Sequence, residues 1–464
     1  MTDQTDRSTQ DAETEDDAYA LDRRTVAAIL DVLDSQDRDA LLELMAPLHA
    51  ADIADLLEQI NPFDRHRFVD LAGDGIGGEI LSELDETIRE EIIGFLRPEV
   101  LAEAVRDLDS DDVVDLLEDL EEPQQAAILS ALPLSDRVAV QQSLTYPEYS
   151  AGRLMQREVV MAPEHWNVGA AIDFMREREH LPEQFYHVIL VDPRLRPVGN
   201  VTLGKIMSSR RDVPLKDLVE DMFRVIPATQ PEADVAYAFN QYHLISAPVV
   251  DENGRLVGMI TIDDAMAVLD EEHEEDILRL AGVGEGESLN ARILDTTKAR
   301  FPWLAVNLVT AILASLVIAQ FEETIAQFVA LAVLMPIVAS MGGNAGTQSL
   351  TVAVRAIATR DLTGSNVWRV IRRECIVGLI NGVLFAVVMG AVGVIWFGTP
   401  LLGVVIAAAM VINLVVAGFA GTVIPVILER AGVDPALASG AFVTTVTDVV
   451  GFFAFLWLAG VVLL

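Results

Sequence analysis

Leucine, isoleucine and valine recur at three-to-four-residue spacing between acidic faces from residue 21 to 145, which predicts successive helices with one buried side each. Ala54-Asp55-Leu56-Leu57-Glu58 returns as Val114-Asp115-Leu116-Leu117-Glu118, and each copy leads into a proline-bearing turn, Asn61-Pro62 or Glu122-Pro123. Helix pairs repeated in this way stack into a small solenoid, and its aspartates are expected mostly to form a solvated face. A second duplication spans about 150 to 282, where Val191-Asp192-Pro193 with Pro197-Val198-Gly199-Asn200-Val201-Thr202 returns 59 positions later as Val250-Asp251-Glu252 with Leu256-Val257-Gly258-Met259-Ile260-Thr261. Each copy predicts two short β runs across a turn, then a helix carrying Met207 or Met266.

Beyond residue 290 the polar face disappears. Five apolar segments, at roughly 302–321, 324–355, 371–397, 401–428 and 437–462, can each cross about 30 Å of hydrocarbon at about 1.5 Å per residue. The uncharged run from Cys375 to Leu428 is too long for one helix, and Gly398-Thr399-Pro400 is its natural division. Lys298 and Arg300 precede the first span, Arg355, Arg360, Arg369, Arg372 and Arg373 separate the second from the third, and Arg430 separates the fourth from the fifth. The opposite loops offer only Glu322, Glu323 and Gly-Thr-Pro. The positive-inside rule then places the N-terminal domains in the cytoplasm and the C-terminus outside the cell membrane. Residues 1–20 read as a disordered acidic tail with no signal peptide.

These patterns predict a mostly α membrane protein with an α/β regulatory part. The expected order is a helical repeat domain at 21–145, paired β-containing domains at 150–210 and 218–268, an acidic connecting helix within 269–300 and a five-helix pore domain at 301–464.

Charge sharpens the division. Residues 291–464 hold nine basic and eight acidic side chains, leaving 23 basic and 63 acidic ones before them. So acidic a surface excludes nucleic acid, whose phosphates need basic patches. It suits divalent cations, and with lysine only at 205, 216 and 298 it equally suits a protein working in high salt, where screening removes self-repulsion. Cys375 stands alone, so no disulfide or thiolate metal site forms within one chain.

The candidate chemistry lies in four places. Asp448 is the only charged residue after Asp434, near the middle of the last apolar segment, and no Lys or Arg shares its depth. A carboxylate there points to a wet cation pathway, with Thr444, Thr445 and Thr447 as hydroxyls that hold water nearby. In the second segment, Met341-Gly342-Gly343-Asn344-Ala345-Gly346-Thr347-Gln348-Ser349 predicts an unwound stretch whose freed carbonyls suit Mg²⁺ or Na⁺, while Gly378 and Gly382 read as helix packing. Leu269-Asp270-Glu271-Glu272-His273-Glu274-Glu275-Asp276 sets carboxylates at helical spacing, where a shared divalent ion would suppress their repulsion and its loss would drive segments apart. Thr261 and Asp264 form the fourth place, at the head of the same helix.

The duplicated β-containing region is similar to a tandem pair of cystathionine-β-synthase (CBS) domains, most closely over Ser246-Ala247-Pro248-Val249-Val250-Asp251 to Asp264. That resemblance implies an ATP or AMP site in which Thr261 and Asp264 contact ribose; the first copy departs from it with Thr202 and Lys205. The whole order resembles the MgtE family of magnesium channels or transporters. The specific match lies in Gly342–Ser349, Arg355-Ala356-Ile357-Ala358-Thr359-Arg360-Asp361-Leu362, Gly432-Val433-Asp434-Pro435-Ala436-Leu437 and Thr447-Asp448-Val449-Val450-Gly451. The resemblance implies a homodimer with Asp448 of both subunits facing hydrated Mg²⁺, and inhibitory Mg²⁺ sites between the helical, CBS and connecting elements, onto which Asp264, Glu272, Glu275 and Asp276 map. Two departures are Ala267, where relatives tend to be acidic, and Ala441, where they tend to have proline. The expected function is therefore potential-driven Mg²⁺ influx, closed by cytosolic Mg²⁺. The rivals are a membrane-anchored adenine-nucleotide sensor, or the same architecture carrying Mn²⁺, Co²⁺ or Na⁺.

Overall fold

A computed structural model describes residues 21–464 apart from 107, 119, 121, 179–180, 183 and 284–292, and it divides into two compact units at Glu271/Glu272. The acidic tail expected at 1–20 lies outside the described residues.

Among the described residues, ten α-helices run from Arg23 to Ser143. Local chemistry starts several of them: the side chains of Asp22, Asp37, Asn61 and Asp85 each accept a backbone N–H in the first turn, and Pro62 occupies the first helical position after Asn61. Leu56, Leu57, Leu116 and Leu117, the centres of the sequence echo, are all fully enclosed in one core. The repeat also carries a clamp that hydropathy does not reveal. Arg65 donates from Nε to the Leu57 carbonyl at 2.7 Å and from Nη2 to that of Ile60 at 3.2 Å. Gln125, 60 positions on, donates to the carbonyls of Leu117 at 2.8 Å and Leu120 at 2.9 Å. Both side chains satisfy the carbonyls that the end of the preceding helix leaves without intrahelical partners. Arg65 is only 2% exposed, and its charge is met by Glu91.

Two three-stranded sheets follow. β1 (Met161–Pro163) runs parallel to β2 (His187–Val191), which pairs antiparallel with β3 (Pro197–Thr202); β4 (Ile226–Pro227), β5 (Ser246–Val250) and β6 (Leu256–Thr261) repeat that order. The hairpin turns repeat as well. One oxygen of Asp192 accepts the N–H groups of Arg194 and Arg196, and one oxygen of Asp251 accepts those of Asn253 and Arg255, all at 2.8 Å. The two copies meet where equivalent positions touch: buried His187 Nδ1 lies 2.7 Å from Ser246 Oγ.

Among its described residues the second unit holds five helices long and apolar enough to span a membrane, at Thr296–Ala319, Ala330–Ala358, Val367–Phe397, Pro400–Arg430 and Gly440–Leu463. Gly398 turns between the third and fourth in the left-handed region at φ 67°, a conformation that glycine adopts without strain, and Pro400 starts the next helix. Residues 324–329, expected at the head of the second span, instead belong largely to a separate short helix, Glu322–Gln327, and the chain re-enters at Ala330.

The expected unwinding at Gly342–Ser349 does not occur, because Ala330–Ala358 is one continuous helix. Its glycines serve close packing instead. A Cβ at Gly342 would collide with Asn413, one at Gly346 would meet Val443, and Gly421 of the fourth span packs its backbone on Gly346 and Ser349. Gly378 and Gly382 likewise bring the third span against Leu414 and Val411 of the fourth, as their spacing suggested.

Replacing Arg65 by Met leaves two buried carbonyls and Glu91 unmatched and is expected to weaken this turn by about 3 kcal/mol, the scale for breaking a buried ion pair from one side. Amide exchange at residues 57–61 of the full chain should quicken, and less so in Arg65→Lys.

Candidate functional site

Asp448 projects from the fifth helical span, half-buried, with no hydrogen bond or ion pair among the described residues. The nearby hydroxyls do not surround it with water. Thr444 donates to the Gly440 and Ala441 carbonyls, Thr445 to that of Ala441 at 2.6 Å, and Thr447 to that of Thr444 at 3.0 Å. Thr447 is 0% exposed, so it packs against the second span and lines no surface of the single chain. Its placement corrects the expectation for Thr447. Hydroxyls in a water-poor setting satisfy themselves on the preceding turn, which their number in the sequence does not show.

The second span has two unlike sides. Gly342, Gly346, Ser349 and Leu350 are buried, whereas Ser340, Asn344, Thr347, Gln348 and Thr351 are exposed at helical spacing. Gly343 borders this exposed side, with open space where a Cβ would stand. The peptide carbonyls here belong to the helix ladder, which leaves the amides of Asn344 and Gln348 as the polar groups on offer.

One buried carboxylate escaped the sequence reading. Glu374, near the start of the third span, is 8% exposed and accepts a hydrogen bond from Ser349 Oγ at 3.0 Å. Its neighbours Arg372 and Arg373 made it look like part of a solvated charge run.

A second cluster gathers where the connecting helix, Ile262–Leu280, ends. Arg279 pairs with Glu275 at 2.7 Å and with Asp434 at 2.9 Å, and Leu280 packs with Leu350, Val354, Ala436 and Val443. Burial raises the carboxyls of Glu272 and Asp276, and the Asp434 charge raises both further, partly offset by Arg279. Glu275 and Asp434 are both engaged by the Arg279 guanidinium, which sets Glu275, expected as a metal ligand, apart from Glu272 and Asp276; Asp434, which was not singled out in the sequence, lies close enough to raise both of their carboxyls.

A third cluster lies within the first unit. The helix Ser110–Glu118 presents Asp111 and Asp112 toward Asp264. Burial holds the Asp111 carboxyl well above its ordinary range, with the charges of Asp264, Asp112 and Asp109 adding to the effect. Burial and the same kind of repulsion push Asp112 to about 7 and Asp264 to about 6. The expectation of a solvated aspartate face fails for Asp111, which is 8% exposed, and holds for Asp115 on the same helix. Thr261 Oγ1 donates to Asp264 Oδ2 at 2.6 Å, so the proposed ribose-contacting pair is closed on itself. Among the described residues no three His, Cys, Asp or Glu side chains converge as a metal cage.

Comparison with known proteins gives this arrangement a family. The MgtE family, described as a divalent cation transporter, matches residues 335–458; its intracellular N domain matches 48–149; and CBS domains match 151–212 and 211–271. The magnesium transporter MgtE of Thermus thermophilus is 30% identical over 449 residues, covering 96% of this chain and 99% of its own. This chain belongs to the MgtE family. The magnesium transporter MgtE of Bacillus subtilis is 29% identical over 413 residues, 89% of this chain and 91% of that one. Among solved structures, the cytosolic domain of the Mg²⁺ channel MgtE in complex with ATP is 26% identical, covers 52% of this chain and 99% of that chain, and superposes with a TM-score of 0.49. Members of the family are transporters, not enzymes. The MgtE match at 335–458 encloses Asn344, Glu374, Asp434 and Asp448, and hence every membrane carboxylate described above.

For the Asp111, Asp112 and Asp264 cluster the sign of the pH effect follows from raised folded values. Protonated carboxyls stabilise the fold below their ordinary range near 4, and this contribution is lost as pH rises through about 6 to 7. The full chain in detergent without divalent ions should therefore melt at a lower temperature at pH 8 than at pH 5. Millimolar Mg²⁺ should remove most of that difference, and Asp112→Asn should flatten it without Mg²⁺.

Proposed function

We propose that two copies of this chain form a channel for Mg²⁺ influx across the cell membrane, with their cytosolic parts as the sensor that closes it. The observation that carries this reading is the pairing of an unpartnered Asp448 with an uncovered polar face on the second span. Hydrocarbon cannot solvate Asn344, Gln348 or a carboxylate, so whatever covers them is protein or water. A two-fold related copy supplies both, since the same patch meets itself across the axis and leaves a wet seam lined by two Asp448 side chains.

The chemistry suits the ion. Mg²⁺ gives up its water reluctantly and is usually held by one or two carboxylates through several retained waters, so a facing pair of aspartates is enough and a cage of carbonyls is unnecessary. An inside-negative potential supplies about 4.6 kcal/mol per 100 mV for a divalent ion, from about 2.3 per charge. The N-terminal domains lie in the cytoplasm and the C-terminus outside, in keeping with Arg355, Arg360, Arg369, Arg372, Arg373 and Arg430 on one side.

Closure is electrostatic. Glu272, Asp276 and Asp434 crowd together where Leu280 docks on the spans, and Asp111, Asp112 and Asp264 crowd together in the first unit. Hard carboxylate oxygens in this number fit Mg²⁺ completed by water, and bound ions hold the crowded elements in place. When the ions leave, repulsion releases the connecting helix and the pathway opens. The closed Thr261–Asp264 hydrogen bond favours a cation role for Asp264; an adenine nucleotide would have to break that bond to reach the pair.

Flux into reconstituted vesicles tests the reading. Asp448→Ala and Asp448→Asn should both abolish Mg²⁺ uptake, and undiminished uptake by Asp448→Asn would remove the charged pathway. Glu272→Ala with Asp434→Ala should raise the internal Mg²⁺ needed for half-closure by about tenfold, within the usual range of a coupling between sites. Parallel uptake of Mn²⁺, Co²⁺ and Na⁺ sets the selectivity, and nucleotide binding without any cation uptake would favour the sensor alternative.

A further inference from the structure

Asn413 lies midway along the fourth span at 0% exposure, wedged between the two helices that carry the ion-pathway candidates. Its Nδ2 donates to the Val338 carbonyl of the second span at 2.8 Å. That carbonyl is the one the helix offers to the N–H of Gly342, so the amide reinforces the turn just before Gly343 and Asn344. Its Oδ1 is buried without a hydrogen-bond partner among the described residues.

Two glycines make the space for this side chain. A Cβ on Gly342 would lie 2.8 Å from Asn413 Cγ and 3.0 Å from Oδ1; one on Gly451 of the fifth span would lie 2.7 Å from Nδ2 and 3.1 Å from Oδ1. Filling such a notch requires only bulk, and an aliphatic residue would do so without stranding an amide oxygen, which is costly. The asparagine therefore supplies something besides volume. Gly451 lies three residues after Asp448, a spacing that makes the two neighbours on one helix surface. How deeply Gly451 seats against Asn413 sets the rotation of the fifth span and with it the direction of the carboxylate.

We propose that Asn413 is a positioning residue for the ion pathway: its amide ties the fourth span to the second while its side chain receives Gly451, which together hold Asp448 at its angle to the axis. This rests on the reading of Asp448 as a residue facing its counterpart in a second copy.

The test uses the full chain reconstituted in vesicles. In a Cys375→Ser background, Asp448→Cys should join two subunits through a short bis-maleimide linker, each thiol adding across one maleimide double bond. Asn413→Leu, close in volume but without the amide, and Gly451→Ala, which keeps Asn413 but brings a methyl group to 2.7 Å from its Nδ2 and so pushes the helix away, should each cut that joining about tenfold, since misplacement by about 1 Å can cost as much as 100-fold at a positioned site. With Asp448 intact, the same two substitutions should raise the half-saturating Mg²⁺ concentration for uptake while the dimer persists by size-exclusion chromatography. Merely structural damage would lower yield and melting temperature and leave half-saturation where it was. Unchanged joining and half-saturation in folded Asn413→Leu overturn the proposal, and if that variant does not fold, the same result in Gly451→Ala overturns it. No joining with Asn413 intact refutes the facing-Asp448 reading instead, and half-saturation in the two variants then decides the role of Asn413 separately.

Discussion

Hydrocarbon offers no hydrogen-bond partner, and the second unit is organised around that deficit. Backbone groups are closed inside five long helices; Thr444, Thr445 and Thr447 spend their hydroxyls on carbonyls of the preceding turn; Ser349 meets Glu374, and Asn413 meets Val338. Against this background of internal satisfaction, Asp448 and Gln348 make no hydrogen bond among the described residues, and the polar face from Ser340 to Thr351 is left uncovered in one chain. The functional reading depends on that contrast, because a polar group is informative in a membrane only when its neighbours have all been provided for.

Close helix approach makes the contrast possible. Gly378, Gly382, Gly418 and Gly421 bring backbones together where any larger side chain would hold them apart, and Gly342 and Gly346 admit the side chains of Asn413 and Val443, so the second, third and fourth spans pack as one block with the fifth laid on it. Such packing needs no hydrophobic drive, which is absent between helices in lipid, and relies on contact between surfaces that fit. A side chain on a rigid block keeps its angle, a condition that any pathway using one carboxylate per subunit must meet.

The cytosolic elements follow the opposite rule. There water is abundant, and the clusters around Asp264 and Asp434 bury like charges close together, a condition that costs free energy until protons or cations arrive. Arg279 offsets part of that repulsion near Asp434 and takes up Glu275.

By itself the sequence determined the elements and their order. Hydropathy set out five spans, the 59-residue echo set out two hairpins each followed by a helix, and the Leu56/Leu116 echo set out a helical repeat, because burial of apolar side chains at a fixed period is a local property. It also located Asp448, since a lone charge in an apolar run is visible without coordinates. Only the tertiary structure decided what the polar residues do. The Gly342–Ser349 stretch was legible as unusual but not as a packed helix, because a glycine that unwinds a helix and one that admits a neighbour look alike until the neighbour is in place. Thr447 turned inward, Glu275 paired with Arg279, and Asp111 and Asp112 came up against Asp264 from about 150 positions away. Each of these outcomes depends on which groups from distant parts of the chain share a low-dielectric space, and no pattern within a single segment records that.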